Sequence, residues 1–265
     1  MILQDIIHII ESVAPLSYQE QWDNSGLQVG NRNADITAAL LTVDVTESVV
    51  LEAIEQHCNL IVSHHPLLFR GLRHLTGETP QERCAELAIR HGIAIYSSHT
   101  SMDSYIHGVS GRMAERIGIS QYAILSPSAD DPHIGLGVIG TLDTPMEVDD
   151  FVKHVYRAFH SHPMGIRYIP PRRQTIRTVA LCGGAGAEFL DAAIAQGADM
   201  YITADCKYHE MQAAVGRIGL IELDHWVSEQ FTRDIFQEIL SPYITVHISR
   251  EDHSPIQYIA DNTLE

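Results

Sequence analysis

Basic residues are scarce in this chain: 17 lysines and arginines face 34 aspartates and glutamates among 265 residues, a formal charge of −17. That balance repels a polyanion, so extended nucleic-acid binding is not expected, while a small anionic substrate held by a metal is compatible with it. Cysteine is sparse as well. Cys58, Cys84, Cys182 and Cys206 form no C-x-x-C pair, which fits a reducing cytoplasm with the thiols as small buried hydrophobes. No low-complexity run occurs, and no apolar run approaches the roughly 20 residues that span a bilayer. The N-terminal MILQDIIHIIESVAPL has no basic stretch of the signal-peptide kind. Its Ile2, Ile6, Ile9, Ile10 and Val13 recur at helical spacing up to Pro15, so an amphipathic helix is expected there. The expectation is a soluble, cytoplasmic protein without a membrane partner.

What is present is a rhythm. AALLTVDV (38–45), a helix near 47–57, NLIVS (59–63), a helix near 80–91 and IAIYSS (93–98) alternate as in an α/β domain with a mainly parallel sheet. TVALC (178–182), a helix near 187–196, DMYIT (199–203), a helix near 209–216 and LIEL (220–223) do so again. A shift of 140 lays Asn59–Ser63 on Asp199–Thr203, and a shift of 126 lays His99–Asp103 on His225–Glu229. In both halves a histidine is followed four residues later by a carboxylate, just past an apolar strand. Apolar rhythm does not require that, so the fold class expected is α/β, two similar domains from an internal duplication. The turn-rich SPSADDPH (126–133) puts the boundary at 126/127: a first domain 1–126 and a second 127–265, whose C-terminal segment has room to pack back on the first. In TPMEVDDFVKHVYRAF, Thr144, Pro145 and Glu147 read as N-cap, N1 and N3 of a helix. The glycines of GLGVIG (135–140) lie within a strand pattern, so packing is expected of them and not dinucleotide binding.

Sixteen histidines make a lone one uninformative. His64 and His65 differ, because they stand at the carboxyl end of an apparently buried parallel strand, where α/β folds place ligands. Adjacent side chains on extended backbone diverge, so the pair serves one ion only if the chain bends, which Pro66 encourages, and otherwise serves two. The plain alternative is two imidazoles hydrogen-bonded in a loop. Asp103 follows IAIYSS and should emerge at the same sheet edge. His225 and Glu229, spaced i,i+4, can face one way if a helix starts after LIEL. Three imidazoles and two carboxylates exceed one tetrahedral zinc and suit two divalent ions with open positions for water. His99 is near enough to be a sixth ligand or to support one.

SHHPLLFRG, HTSMD, TADCKYHE and DHWVSE, with WDNSGLQVG near the start, together resemble the NIF-three-like family, whose members are also called GTP cyclohydrolase I type 2 homologues. The resemblance runs from about Trp22 to Ile259, in the short form without an inserted domain. It implies two α/β domains of similar topology, a dinuclear metal site in the cleft between them and a homohexamer. Its ligands fall on His64, His65, Asp103, His225 and Glu229, with the glutamate bridging. The family often carries a second histidine where this chain has Asp224. Trp22, Asp23 and Asn24 match its Trp-Asp-Asn and are candidates for a pocket wall, against a turn anchored by a buried indole. Asp205 and His209 are the candidates for catalytic acid–base work, against a structural polar pair. Cys182–Ala187 is either a phosphate cradle or a tight turn.

The function expected is metal-assisted hydrolysis of a purine nucleotide or phosphate ester, the GTP ring-opening reaction being implied by the resemblance alone. Two divalent ions per chain are expected, with zinc, iron, manganese, cobalt and nickel all permitted by the ligand types. The alternative is a non-catalytic metal-binding or regulatory ring that presents a partner surface.

Overall fold

The computed structural model describes residues 1–129, 131–159 and 166–257. Asp130 of the turn-rich stretch, Ile259 at the far end of the resemblance and the last part of the 127–265 domain lie outside the described residues. The chain divides into two compact units, one of Met1–Tyr105 with Gln230–His253, the other of Ile106–Glu229 with the described residues after His253. The expected boundary at 126/127 moves upstream, because Tyr122–Pro127 pairs antiparallel with Gly135–Glu147 and both strands belong to the second sheet.

The first unit holds a five-stranded sheet ordered Gly26–Val29, Ala94–Ser97, Leu60–Ser63, Ala38–Thr42, Thr245–Ile248. Only the Gly26–Val29 edge runs antiparallel. The three inner strands are buried throughout, as parallel strands are when helices cover both faces. On one face Val49, Val50 and Ala53 of Glu47–Glu55 pack with Cys84, Ala85 and Ala88 of Pro80–Arg90. Thr46 and Thr79 accept the Val49 and Glu82 amides and so start these two helices. The N-terminal helix Leu3–Val13 buries Leu3, Ile6, Ile7 and Ile10 and packs on Thr232–Leu240. Each such side chain taken out of water contributes about 1.5–3 kcal/mol. The four cysteines are free and buried. Burial pushes the Cys58 and Cys84 thiols up to about 11, which leaves them protonated and unreactive.

The second unit has a six-stranded sheet. Read from one edge, its order is Arg167–Ile169, Gly219–Leu223, Met200–Ala204, Thr175–Ala185, Gly135–Glu147, Tyr122–Pro127. The first of these pairs antiparallel and the next two pairings are parallel. That is the order and sense of the first sheet, strand for strand in chain order, as duplication requires. The copies differ at the fourth strand's outer neighbour, which is parallel Thr245–Ile248 in one and antiparallel Gly135–Glu147 in the other. The one-turn helices Thr100–Asp103 and His225–Glu229 also correspond. Each copy then sends its next helix into the other unit: Val109–Arg116 belongs to the second, Thr232–Leu240 to the first.

One local expectation fails. Thr144, Pro145 and Glu147 do not open a helix, because Met146 and Glu147 pair with Ile176 and Thr175 and extend the strand. The helix is Val148–Ala158, with Asp149 and Asp150 in its first turn where the dipole favours them. The glycines of GLGVIG do lie in that strand. A Cβ at Gly140 would stand 2.5 Å from a methyl of Ile119, so close packing accounts for it. No helix among the described residues is long and apolar enough to cross a membrane.

Candidate metal centre

In the first unit three parallel strands end at one edge, and each is followed by polar residues. Ala38–Thr42 leads to Asp44, Leu60–Ser63 to His64 and His65, and Ala94–Ser97 to His99 and Asp103. The backbone stays in register past the strand ends: the His64 and His65 amides donate to Thr42 O at 3.1 Å and Val43 O at 2.9 Å. The His65 carbonyl accepts from Ser63 Oγ at 2.8 Å and Ser97 Oγ at 3.2 Å, which fixes the turn that presents the pair.

Each imidazole is oriented through Nδ1. His64 Nδ1 lies 3.2 Å from the Ser98 carbonyl, His65 Nδ1 2.8 Å from Asp44 Oδ1, and His99 Nδ1 2.8 Å from Asp23 Oδ1. A carbonyl or carboxylate only accepts, so Nδ1 carries the proton in each ring and Nε2 keeps its lone pair. This is the arrangement that metal-ligating histidines adopt. One ring nitrogen from each of His64, His65 and His99 can be chosen so that all lie within 4.8 Å of one another. The rings stand 5.0–5.4 Å apart by centroids. Asp103 Oδ1 lies 3.7 Å from Nε2 of the fully buried His64.

Asp23 has no exposed side-chain surface. It accepts from His99 Nδ1, Ser25 Oγ at 2.8 Å, Thr100 Oγ1 at 2.6 Å, Thr100 N at 3.1 Å and Asn24 N at 2.7 Å. Burial alone would raise its pKa, but the hydrogen bonds from His99, Thr100 and Ser25 hold it well below the usual carboxylate range. The Trp22 indole is 59% exposed, so it anchors no buried turn. Its ring lies 6.0 Å from Phe69 and 6.1 Å from His99, edge to face, so it walls the histidine cluster. Asn24 Nδ2 donates to Leu68 O at 2.7 Å and ties this segment to the loop after Pro66.

In the second unit His225 Nδ1 lies 2.8 Å from Asp205 Oδ2, and Nε2 lies 3.0 Å from Glu229 Oε2. Burial would lower the His225 pKa; the hydrogen bonds and charges of Asp205 and Glu229 instead raise it to about 11. A metal at this imidazole would therefore release a proton on binding. Asp205 sits at φ +52°, a left-handed conformation uncommon outside glycine, directly after Met200–Ala204. Backbone held this way costs of order 1–3 kcal/mol and tends to mark functional sites. Asp224 accepts from Val227 N at 3.2 Å and Ser254 Oγ at 2.9 Å, so the residue standing where the family often has histidine caps the His225–Glu229 turn. His209 is exposed on Tyr208–Ala214 with Nδ1 3.3 Å from Gln212 Oε1, and is not gathered with His225 and Glu229.

The Cys182–Ala187 segment serves packing. Gly183 N donates to Ser110 Oγ at 3.2 Å and Gly184 N to Ser228 Oγ at 2.9 Å, which occupies two of the amides a phosphate would use. Gly184 has φ +61°, and a Cβ there would collide with Glu229 Oε1. Sequence reasoning missed Asp44. The signal was present, since VDV continues the third parallel strand past the same edge as His64 and His99.

The donor chemistry of the first unit fits a divalent transition ion, with three imidazoles anchored through Nδ1 and a carboxylate beside them, while the second unit offers His225, once it has lost its Nε2 proton, and the Glu229 carboxylate.

A model of the Duf34/NIF3 (NGG1p interacting factor 3) family matches residues 1–255. The chain is 32% identical over 265 residues to a protein named GTP cyclohydrolase 1 type 2 homolog from Clostridium perfringens, covering 98% of this chain and 100% of that one. It is 29% identical over 269 residues to NIF3-like protein 1 of Drosophila melanogaster, covering 98% and 90%. The crystal structure of a Staphylococcus aureus hypothetical protein superposes with a TM-score of 0.89 at 26% identity, covering 98% and 99%. With two sheets of matching order and a family match over nearly its whole length, the chain belongs to the Duf34/NIF3 family.

Proposed function

We propose that the chain is a dinuclear metal-dependent hydrolase acting on a small phosphate-bearing substrate, a purine nucleotide or phosphate ester. The observation that carries this reading is the set of histidines each held through Nδ1 by an acceptor, three of them clustered at one sheet edge. Loops use histidines in many ways, but uniform Nδ1 anchoring by carbonyl and carboxylate acceptors is how a protein prepares ligands. His64, His65 and Asp103 from one unit and His225 and Glu229 from the other would hold the pair, with Glu229 shared. Bound cations of this kind lower the pKa of a shared water and steady the attacking and leaving oxygens of a displacement.

The rest falls to the chain's own residues. Asp44, the Ser98 carbonyl, Asp23 and Asp205 fix imidazole orientation. Asp205 is accordingly read as positioning His225, and the exposed His209 as lying away from the chemistry. Trp22 and Phe69 offer aromatic surface beside His99 on which a planar base could rest. The relatives' name, GTP cyclohydrolase 1 type 2 homolog, supports a nucleotide as the first substrate to try. A non-catalytic metal-binding ring is the competing reading. A mixed histidine and carboxylate set weighs against it, because structural metal sites are normally closed by protein ligands.

The test is turnover. Metal-loaded protein is assayed against GTP, other nucleotides and simple phosphate esters, with His65→Ala alongside. Turnover of at least one class, lost in the variant, is expected. Equal rates in both proteins, or none with any substrate, would remove the hydrolase reading.

A further inference from the structure

The segment that follows the last strand of the first sheet is bound more firmly than a trailing loop needs. Glu52, buried on Glu47–Glu55, accepts from Ser249 Oγ at 2.5 Å, Arg250 N at 3.0 Å and Glu251 N at 3.2 Å. The next residue, Asp252, 5% exposed, reaches the end of the neighbouring strand Ala38–Thr42. There Asp252 Oδ2 accepts from Val43 N at 2.7 Å, Oδ1 accepts from Asp44 N at 3.4 Å, and Arg233 Nη1 lies 3.4 Å from Oδ2.

Those two backbone amides belong to the residues that hold His65. Val43 O accepts the His65 amide at 2.9 Å, and the Asp44 carboxylate receives the His65 ring at 2.8 Å. We propose that Asp252 is a positioning residue for the metal centre, acting through the Val43–Asp44 backbone to set the His65 imidazole. The inference rests on the reading of His65 as a metal ligand. A carboxylate is required because both of its oxygens accept. An asparagine of the same shape must turn an NH2 group toward one of two buried amides, and two donors then face each other. Val43 and Asp44 would shift, carrying with them the acceptor that orients the ring. Replacing such outer partners of a ligating histidine typically weakens metal binding about 10–100-fold.

Glu52 supplies the control. It anchors the same segment, but the groups it accepts from are Ser249, Arg250 and Glu251 there and Gln56 near its own helix, none of which touches Val43 or Asp44 in the bonds above. Cobalt(II) titration followed by visible absorption is carried out on wild type, Asp252→Asn, Glu52→Gln and His65→Ala, each checked by thermal melting. The His65 Nδ1 proton resonance is recorded for the metal-free proteins. Expected is a folded Asp252→Asn protein with about 10–100-fold weaker cobalt binding at the site that His65→Ala abolishes, a displaced absorption band and a shifted His65 proton. Glu52→Gln melts lower yet titrates as wild type. Should Asp252→Asn fail to fold, Asp252→Ser, which keeps one oxygen acceptor, is read in the same way. An Asp252→Asn curve and His65 resonance that superimpose on wild type overturn the proposal, as does an equal loss of cobalt affinity in Glu52→Gln. A His65→Ala protein that titrates like wild type overturns instead the ligand reading beneath it, and the proton resonance still reports whether Asp252 sets the ring.

Discussion

His99 and Asp23, 76 residues apart in the chain, meet at 2.8 Å, and the carboxylate in that pair accepts every contact around it from a donor. Two sequence segments are thereby joined: the loop before Gly26–Val29 and the start of Thr100–Asp103. Asp23→Asn keeps the shape but places an NH2 group among groups that can only donate or already do. Its expected cost is about 2–4 kcal/mol, more than an ordinary surface change, because a buried polar group is left mismatched. Urea denaturation of the metal-free protein checks this. A loss under about 0.5 kcal/mol, the range of an ordinary surface change, would show that the dyad is peripheral to the fold.

Stability toward acid should depend on Glu52. Burial raises its pKa, but the hydrogen bonds from Ser249, Arg250 and Glu251 outweigh that and bring it below 4.5. A carboxylate with a depressed folded pKa contributes stability that is full above its unfolded value and fades as pH falls through the folded one. The melting temperature of wild type should therefore drop as pH falls below about 4.5. Glu52→Gln should be less stable at neutral pH, by about 1–3 kcal/mol, with a shallower acid limb. Melts recorded across the acid range decide the matter, and parallel limbs for the two proteins would exclude Glu52 as a source of the acid dependence.

Metal content distinguishes a bridged pair from separate sites. After identical dialysis, wild type is expected to retain two ions per chain and His64→Ala about one. Glu229→Gln, which keeps the shape and removes the charge, should weaken both. Elemental analysis of untagged protein measures this directly. One ion per chain at saturation in wild type, or two tightly held in Glu229→Gln, is incompatible with a shared glutamate.

Gly184 and Gly118 offer a matched pair. Both have positive φ, +61° and +84°, yet a Cβ at Gly118 meets nothing within 4 Å while one at Gly184 runs into Glu229. Gly118→Ala should cost about 1–2 kcal/mol, the backbone penalty alone. Gly184→Ala adds a collision with a candidate ligand, so it should cost more and also reduce bound metal. Denaturation and metal analysis of the two variants test this, and equal losses in stability with unchanged metal content would contradict it.

Much of this was legible in the sequence because it is carried by local pattern. Buried parallel strands are short apolar runs, and NLIVS and DMYIT announce themselves as Leu60–Ser63 and Met200–Ala204. The duplication was legible from His99–Asp103 and His225–Glu229, and the two sheets repeat the same strand order. What escaped depends on pairing between distant segments. Thr144–Glu147 has good helix-start chemistry, but its neighbour Thr175–Ile176 claims Met146 and Glu147 as strand. Asp44 and Asp252 meet across about two hundred residues, and no spacing rule in a single sequence connects them. Asp205 was an acid–base candidate because the repeat places it near the position of His64 and His65; its contact with His225, twenty residues on, follows from no spacing rule.

The exchange of helices between the two copies bears on how the protein is made. The first sheet obtains its edge strand Thr245–Ile248, and one of its covering helices, only from residues after Glu229. Synthesis must therefore pass Ile248 before the first unit can close. Until then the edge of Ala38–Thr42 presents unpaired backbone groups of the kind that recruit stray strands. A single cut anywhere between Ser97 and Thr245 would part the first sheet from its edge strand, so the first unit cannot be isolated by such a truncation.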